Sequence, residues 1–286
     1  MKIRDRELSI PIIQGGMGVG ISLSGLAGAV AACGGMGVIS AAHPGYRDPD
    51  FYRDPLNVNR RCLKEEIAKA KEIAKGCGLV GVNVMVAVQH YADYVRAAIE
   101  GGADAIISGA GLPTELPQIA GDSKVLLAPI VSSGRAARVI CRAWERHGNR
   151  LPDFVVVEGS RAGGHLGFSA EELADGSAKP LDEIVSDVVE TLRPYEEKCV
   201  RKIPVYPAGG DYDEANMTDG APGKVGLGDA SSVEYLVSVP ADVVSKFDDA
   251  ASLFHMMNLN TFTCGAYRLK DAADVDSVAA AIKEYV

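Results

Sequence analysis

Along this chain, short runs of apolar, often β-branched residues alternate with longer stretches in which apolar positions return every three or four residues. The first pattern is that of buried strands and the second that of amphipathic helices. Strands are predicted at 10–14, 37–40, 80–85, 105–108, 125–131, 154–158 and 203–207. Helices are predicted at 23–33, 63–75, 91–100, 135–146 and 181–192, with a last one at 275–285. The strand runs are apolar almost throughout rather than alternately polar, so both faces are buried. That implies parallel pairing under a layer of helices. Glycine-rich and polar residues follow most of the strands instead of gathering at one crevice. This favours a TIM-type (β/α)8 barrel, whose sites collect at the C-terminal ends of its strands, over a doubly wound sheet.

Composition narrows the picture. Hydrophobic residues make up 47% of 286 and charged residues 23%, enough for a large core and too few charges for a disordered chain. A net charge of -9 without a Lys/Arg run disfavours nucleic acid and membrane surfaces. Charges interleave with the apolar residues of 1–14, which does not read as a signal peptide, and 23–33 is too short and too rich in Gly and Ala to span a bilayer. The expected setting is the cytoplasm. The six cysteines are scattered with no CxxC pair, and the five histidines form no HxxxH or HExxH, so neither disulfides nor a metal site is expected.

Six strand ends carry candidate chemistry. Gln14 leads into Gly15, Gly16, Met17 and Gly18, where a backbone without Cβ atoms admits either a ligand or merely a tight turn. Asn83 ends the run GVNVM. A buried amide there needs a partner, either a neighbouring loop or the edge of a flavin or nucleotide. Ser108 opens the small-residue run SGAGLP, which leaves room for a flat ligand or makes an ordinary strand-to-helix turn, and Ser132 and Ser133 end PIVSS in the same two-sided way. Glu158 ends a buried strand, and the following GSRAGGHLG presents His165 among glycines. Imidazole titrates near neutrality, so a histidine in a glycine loop beyond a barrel strand reads as a general acid or base, the alternative being the structural role that a lone histidine more often has. Finally PVYPAGG offers the backbone amides of Gly209 and Gly210 to a phosphate.

Taken in order over roughly residues 8–210, the segments PIIQGGMG, GVNVM, SGAGLP, PIVSS, EGSRAGGHLGF and PVYPAGG resemble the nitronate monooxygenase family, formerly 2-nitropropane dioxygenases. The flavin-dependent enoyl-acyl carrier protein reductases are close relatives. A shorter resemblance to the family's C-terminal end returns in the run from Phe262 to Arg268. The resemblance implies an FMN-binding barrel. Gly15, Gly16 and Met17 would line the isoalloxazine, and Asn83, Ser108, Gly163 and Gly164 would contact the cofactor. Glu158 stands where many members have a flavin-contacting glutamine. Gly209 and Gly210 would form the first half of the phosphate site, and His165 matches the catalytic histidine. The chain is read as one domain over 1–286, with a family-like core at 1–210, an atypical segment at 211–260 and a C-terminal end at 261–286. After Gly210 the family's eighth strand, of the type GVQMGTRF, is missing, so the eighth unit is atypical or incomplete. Residues 235–239 and 261–264 are the candidates to replace it. If neither pairs with the barrel, a partner subunit, for instance in a homo-oligomer, covers the open edges, or 211–229 is mobile and holds FMN loosely.

Three functions follow from the resemblance. The first is FMN-dependent oxidation of alkyl nitronates or nitroalkanes by oxygen to a carbonyl compound and nitrite. The second is NAD(P)H-dependent reduction of an enoyl thioester, which shares the GGH loop. The third is a flavin-binding protein without turnover. In each, the partner is a small molecule.

Overall fold

The computed structural model describes residues 1–162, 167–209, 223–224, 241–254 and 263–285. Contacts fall into two compact units, Met1–Asp211 and Tyr212–Val286. The sequence is read as one domain, and the division falls beside Gly210, where its family-like run ends.

The first unit opens with a small antiparallel hairpin, β1 (Lys2–Ile3) and β2 (Arg6–Glu7). Helix α1 (Ser24–Ala32) follows, then β3 (Met36–Ser40), α2 (Pro55–Ala74), β4 (Leu79–Met85), α3 (Tyr91–Glu100), β5 (Ala105–Gly109) and the short α4 (Leu116–Ala120). The unit continues with β6 (Leu126–Val131), α5 (Gly134–Gly148), β7 (Val155–Glu158), α6 (Ala170–Ala174), α7 (Leu181–Cys199) and β8 (Val205–Ala208). Strands β3 to β8 form one parallel six-stranded sheet in sequence order. Among the described residues this is an α/β half-barrel of TIM type, incomplete as expected.

The helices start and stop where local chemistry dictates. Asp54 caps α2 by accepting from the Asn57 N–H, Pro55 takes the first turn where no N–H is needed, and Lys75 ends the helix in a left-handed turn. Ser133 caps α5 through the Ala136 N–H, and Asn149 ends it in the same left-handed way. Each helix buries one stripe, Leu63, Ile67 and Ala70 on α2, Ile140, Cys141 and Trp144 on α5. Full burial of a Leu or Ile side chain contributes about 1.5–3 kcal/mol.

Alternation along the strands divides the core in two. Val80, Val82, Val84, Ile106, Leu127, Val155 and Val157 pack under the helices. Met36, Val38, Leu79, Ala105, Ile107, Leu126 and Ala128 pack on the concave face, where Ile3 and Leu8 of the hairpin segment join them fully buried. The hairpin therefore plugs the half-barrel at the starts of its strands. Two arginines hold it there: Arg6 Nη1 lies 3.1 Å from Asp104 Oδ1 and Arg4 Nη1 lies 3.5 Å from Asp153 Oδ1.

One expected strand shrinks. Residues 10–14 contribute a single parallel bridge, Ile13 to Met36, with Gln14 N donating to Met36 O at 3.0 Å. Pro11 has no N–H to give to a ladder, and Ile12 turns its own N–H back to Ile10 O at 2.8 Å.

The second unit pairs β10 (Phe247–Phe254) antiparallel with both β9 (Gly223–Lys224) and β11 (Thr263–Leu269), and ends in α8 (Val275–Tyr285). The proposed replacement strand at 261–264 overlaps β11, and β11 belongs to this separate sheet, paired with β10 rather than with the barrel strands. The other candidate, 235–239, and the segment 211–229 apart from Gly223 and Lys224 lie outside the described residues. Among the described residues no strand closes the barrel, and no helix is long and apolar enough to cross a membrane.

Candidate active site

Because β3 to β8 are all parallel, their C-terminal ends share one edge of the sheet, and the glycine-rich loops rise from that edge. The first loop is built by Gln14, which is 5% exposed. Where the bridge ends, its side chain continues the ladder: Oε1 accepts the Val38 N–H at 3.0 Å. Nε2 donates to Gly15 O and to Ser22 Oγ, and Ser22 Oγ in turn accepts the Met17 N–H at 2.9 Å. Ser22 also holds β3 through Ser40 N to Ser22 O at 2.9 Å. The 15–18 run is thus clamped from below by two buried polar side chains.

Clamping brings Gly16 onto Asn83. A Cβ added to Gly16 would stand 2.6 Å from Asn83 Cβ and 3.3 Å from Val38 Cγ1, so nothing larger than glycine fits without displacement. A Cβ added to Gly15 would meet no atom within 4 Å, so the backbone there borders open space. Asn83 is half-buried on the concave face, in register with Ser40 and Ile107. Its side-chain amide has no hydrogen-bond partner among the described residues.

Ser108 is turned the other way. Its neighbour Ile107 packs on the concave face, so Ser108 points under the helices, fully buried, with Oγ 2.9 Å from the Tyr91 hydroxyl on α3. Burial pushes the Tyr91 hydroxyl up to about 12, with the Ser108 bond opposing the shift. The side chain of Ser108 ties β5 to α3 and does not reach the mouth.

Glu158 ends β7 on the concave side. Its Oε1 accepts the Gly167 N–H at 2.7 Å, and Ser132 Oγ, beyond β6, donates to Gly167 O at 2.9 Å. Partial burial raises the Glu158 carboxyl above its ordinary 4.5, and the Gly167 N–H pulls it part of the way back. On the other flank of the same loop, Ala162 N donates to Gly159 O at 3.1 Å. Gly209, in the left-handed region at φ 69°, lies against Ala162, where a Cβ would stand 2.3 Å from its Cα. Glu158, Ser132 and Gly209 therefore pin both flanks of the loop that carries His165. Gly163, Gly164, His165 and Gly210 lie outside the described residues.

Sequence reasoning missed the work of Gln14, Ser22 and Gly167. A signal existed for Gln14, an amide at the end of an apolar run just like Asn83. For Ser132 and Ser133 the architectural reading holds, since one fastens the neighbouring loop and the other caps α5.

A parallel α/β half-barrel with glycine loops at one pole defines a class, the barrels whose functional sites collect at the C-terminal ends of their strands. Within that class the match is specific. The family model of nitronate monooxygenases matches residues 2–223, and the chain belongs to that family. Among solved structures it is similar to FabK from Thermotoga maritima, with 25% identity and a TM-score of 0.52. That match covers 73% of this chain and 54% of that one. It shares its fold with a nitroalkane oxidase from Streptomyces ansochromogenes, at 21% identity and a TM-score of 0.53, covering 79% of this chain and 62% of the other. The chain thus spans a little over half the length of these relatives. No curated protein matches it.

Proposed function

We propose that this chain binds FMN across the mouth of the half-barrel and oxidises alkyl nitronates or nitroalkanes to a carbonyl compound and nitrite, with oxygen as the final electron acceptor. The observation that carries the reading is the packing of Gly16 on Asn83 beside the open flank of Gly15. Together they make a thin backbone wall next to an amide with donors and acceptors to spare, which fits a flat heteroaromatic edge. Gly15, Gly16, Met17 and Asn83 would hold the ring, Gly163 and Gly164 would approach it from the His165 loop, and Gly209 and Gly210 would offer amides to the phosphate. When bound, the flavin supplies a two-electron acceptor that oxygen can reoxidise.

The protein's own work is on the proton and on position. His165 precedes the pinned Gly167 by two residues in the chain. Its imidazole would take the proton from the carbon bearing the nitro group and then hold the resulting anion. Glu158 and Ser132 act through Gly167 as positioning residues. Ser108 stays a structural residue of β5. The reading places a small-molecule enzyme in the cytoplasm.

A second reading, NAD(P)H-dependent enoyl thioester reduction, draws support from the likeness to FabK, an enoyl-acyl carrier protein reductase. Flavin absorbance in the purified protein, followed by nitronate addition under air and by NAD(P)H with an enoyl thioester, separates the two. Replacing His165 with Asn is expected to keep flavin binding and to cost about 10²–10⁴-fold in rate on a neutral nitroalkane. Activity on the pre-ionised nitronate should survive. A colourless protein whose melting temperature and fluorescence ignore added FMN would sink the reading.

A further inference from the structure

At the pole opposite the mouth, the approaches to β6 and β7 and the ends of α5 and α7 border an open, solvent-facing cavity of about 560 Å3. Five cationic side chains line it, Arg4, Lys124, Arg150, Lys198 and Arg201, against three acids. That excess of two positive charges stands on a chain whose net charge is -9.

The excess is concentrated on one carboxylate. Asp153 is 1% exposed and three guanidinium groups surround it. Arg4 Nη1 is 3.5 Å and Arg201 Nη2 3.3 Å from Oδ1, and Arg150 Nη2 is 3.0 Å from Oδ2. One carboxylate offsets one of three charges. The other acids leave the balance unchanged, since Glu145 is engaged by Lys198 and the single charge of Asp122 is matched in number by that of Lys124.

Hydrogen bonding shows the same surplus of donors. Arg150 donates to the carbonyls of Ser123 and Val125, and Arg201 to those of Leu151 and Pro152, the latter at 2.9 Å. These four carbonyls are therefore already covered by the two arginines. Arg201 Nη1 is still left buried without a partner. Like charges held together at a partly desolvated site repel, and an unmatched buried donor is costly.

We propose that this cavity binds a small dianionic oxyanion of the phosphate type. A dianion cancels the excess of two, and planar guanidinium forks match phosphate oxygens in geometry. A cation is repelled by the same walls, and an apolar ligand would leave the donors unmet. Binding would join Arg4 of the N-terminal hairpin to the connections that follow α5 and α7. The expected effect is on the stability of this pole and not on chemistry at the mouth.

The test uses the full chain saturated with FMN, so that the mouth is occupied. Inorganic phosphate is titrated against chloride at constant ionic strength, with calorimetry and the thermal midpoint as readouts. Saturable one-site binding with a rising midpoint is expected. The double variant Arg4→Gln, Lys124→Gln should weaken it by about tenfold or more, because each of these exposed charges counts for several-fold, while absorbance and turnover stay unchanged. Both side chains are at least one-third exposed, and Lys124→Gln alone, expected to weaken binding several-fold, serves if the double variant does not fold. Glycerol phosphate in a parallel titration separates a phosphomonoester from the free ion, and tighter binding of either through the same two residues supports the proposal. Phosphate acting no differently from chloride overturns it, as does an undiminished phosphate response in the variants.

Discussion

Glu158 offers a direct check on how the His165 loop is held. Glu158→Ala removes the acceptor of the Gly167 N–H, whereas Glu158→Gln keeps an oxygen at the same place and removes only the charge. A hydrogen bond to a charged group is worth about 1.5–3 kcal/mol, against about 0.5–1.5 for a neutral pair. Glu158 is only partly buried, and Ser132 still grips Gly167 through its carbonyl, so the low end applies. Alanine should therefore cost about 1.5 kcal/mol of local stability, close to tenfold in the open population of the loop, and glutamine, which keeps a neutral bond of about 0.5 kcal/mol or more, should cost about 1 kcal/mol or less. Hydrogen exchange at the Gly167 amide reads the opening directly, and turnover on a neutral nitroalkane reads its consequence for His165.

The two substitutions also differ in pH dependence. Burial raises the carboxyl pKa in the folded chain, so the native state binds this proton more tightly than the unfolded one. Stability from this group is then greatest in acid and is lost as pH rises from the ordinary 4.5 through the raised folded value. Glutamine does not titrate, so wild type should lose stability relative to Glu158→Gln across that window. Equal exchange at Gly167 in the alanine and glutamine variants, or a wild type that gains on glutamine as pH rises, would refute the account.

Two further outcomes bear on the mouth. Gly16→Ala places a methyl group 2.6 Å from Asn83 Cβ and should cost about 1–3 kcal/mol in overpacking, together with flavin affinity. Denaturant unfolding and an FMN titration measure the two effects, and unchanged values would remove Gly16 from the ring wall. Gln14→Ala leaves the Val38 N–H buried without an acceptor and should cost about 1–3 kcal/mol, read as a lower urea midpoint at unchanged slope. A midpoint within error of wild type would mean that the clamp under the glycine loop is dispensable.

By itself the sequence determined the rhythm of this fold. Six of the seven expected strands appear within a residue or two of the apolar runs that announced them, because a strand buried on both faces leaves an unbroken hydrophobic trace. The glycine loops were legible too, since each stands at a strand end and glycine is rare inside strands. What only the tertiary structure decided was direction and partnership. Ser108 sits in as suggestive a motif as Asn83, yet register and pleat turn its side chain under α3 while Asn83 takes the concave face, and a one-residue difference in parity is all that separates them. Residues 10–14 carry a strand-like pattern, but Pro11 breaks the ladder, and the clamp that replaces it needs Ser22 and Val38, brought in from elsewhere in the chain. The part of the candidate 261–264 that is described, Thr263 and Cys264, lies in a strand, but its partner is β10, because pairing depends on which edge the chain brings within hydrogen-bonding reach. The charge surplus around Asp153 was invisible for the same reason: Arg4, Arg150 and Arg201 are far apart in the sequence, and folding alone gathers them on one buried carboxylate.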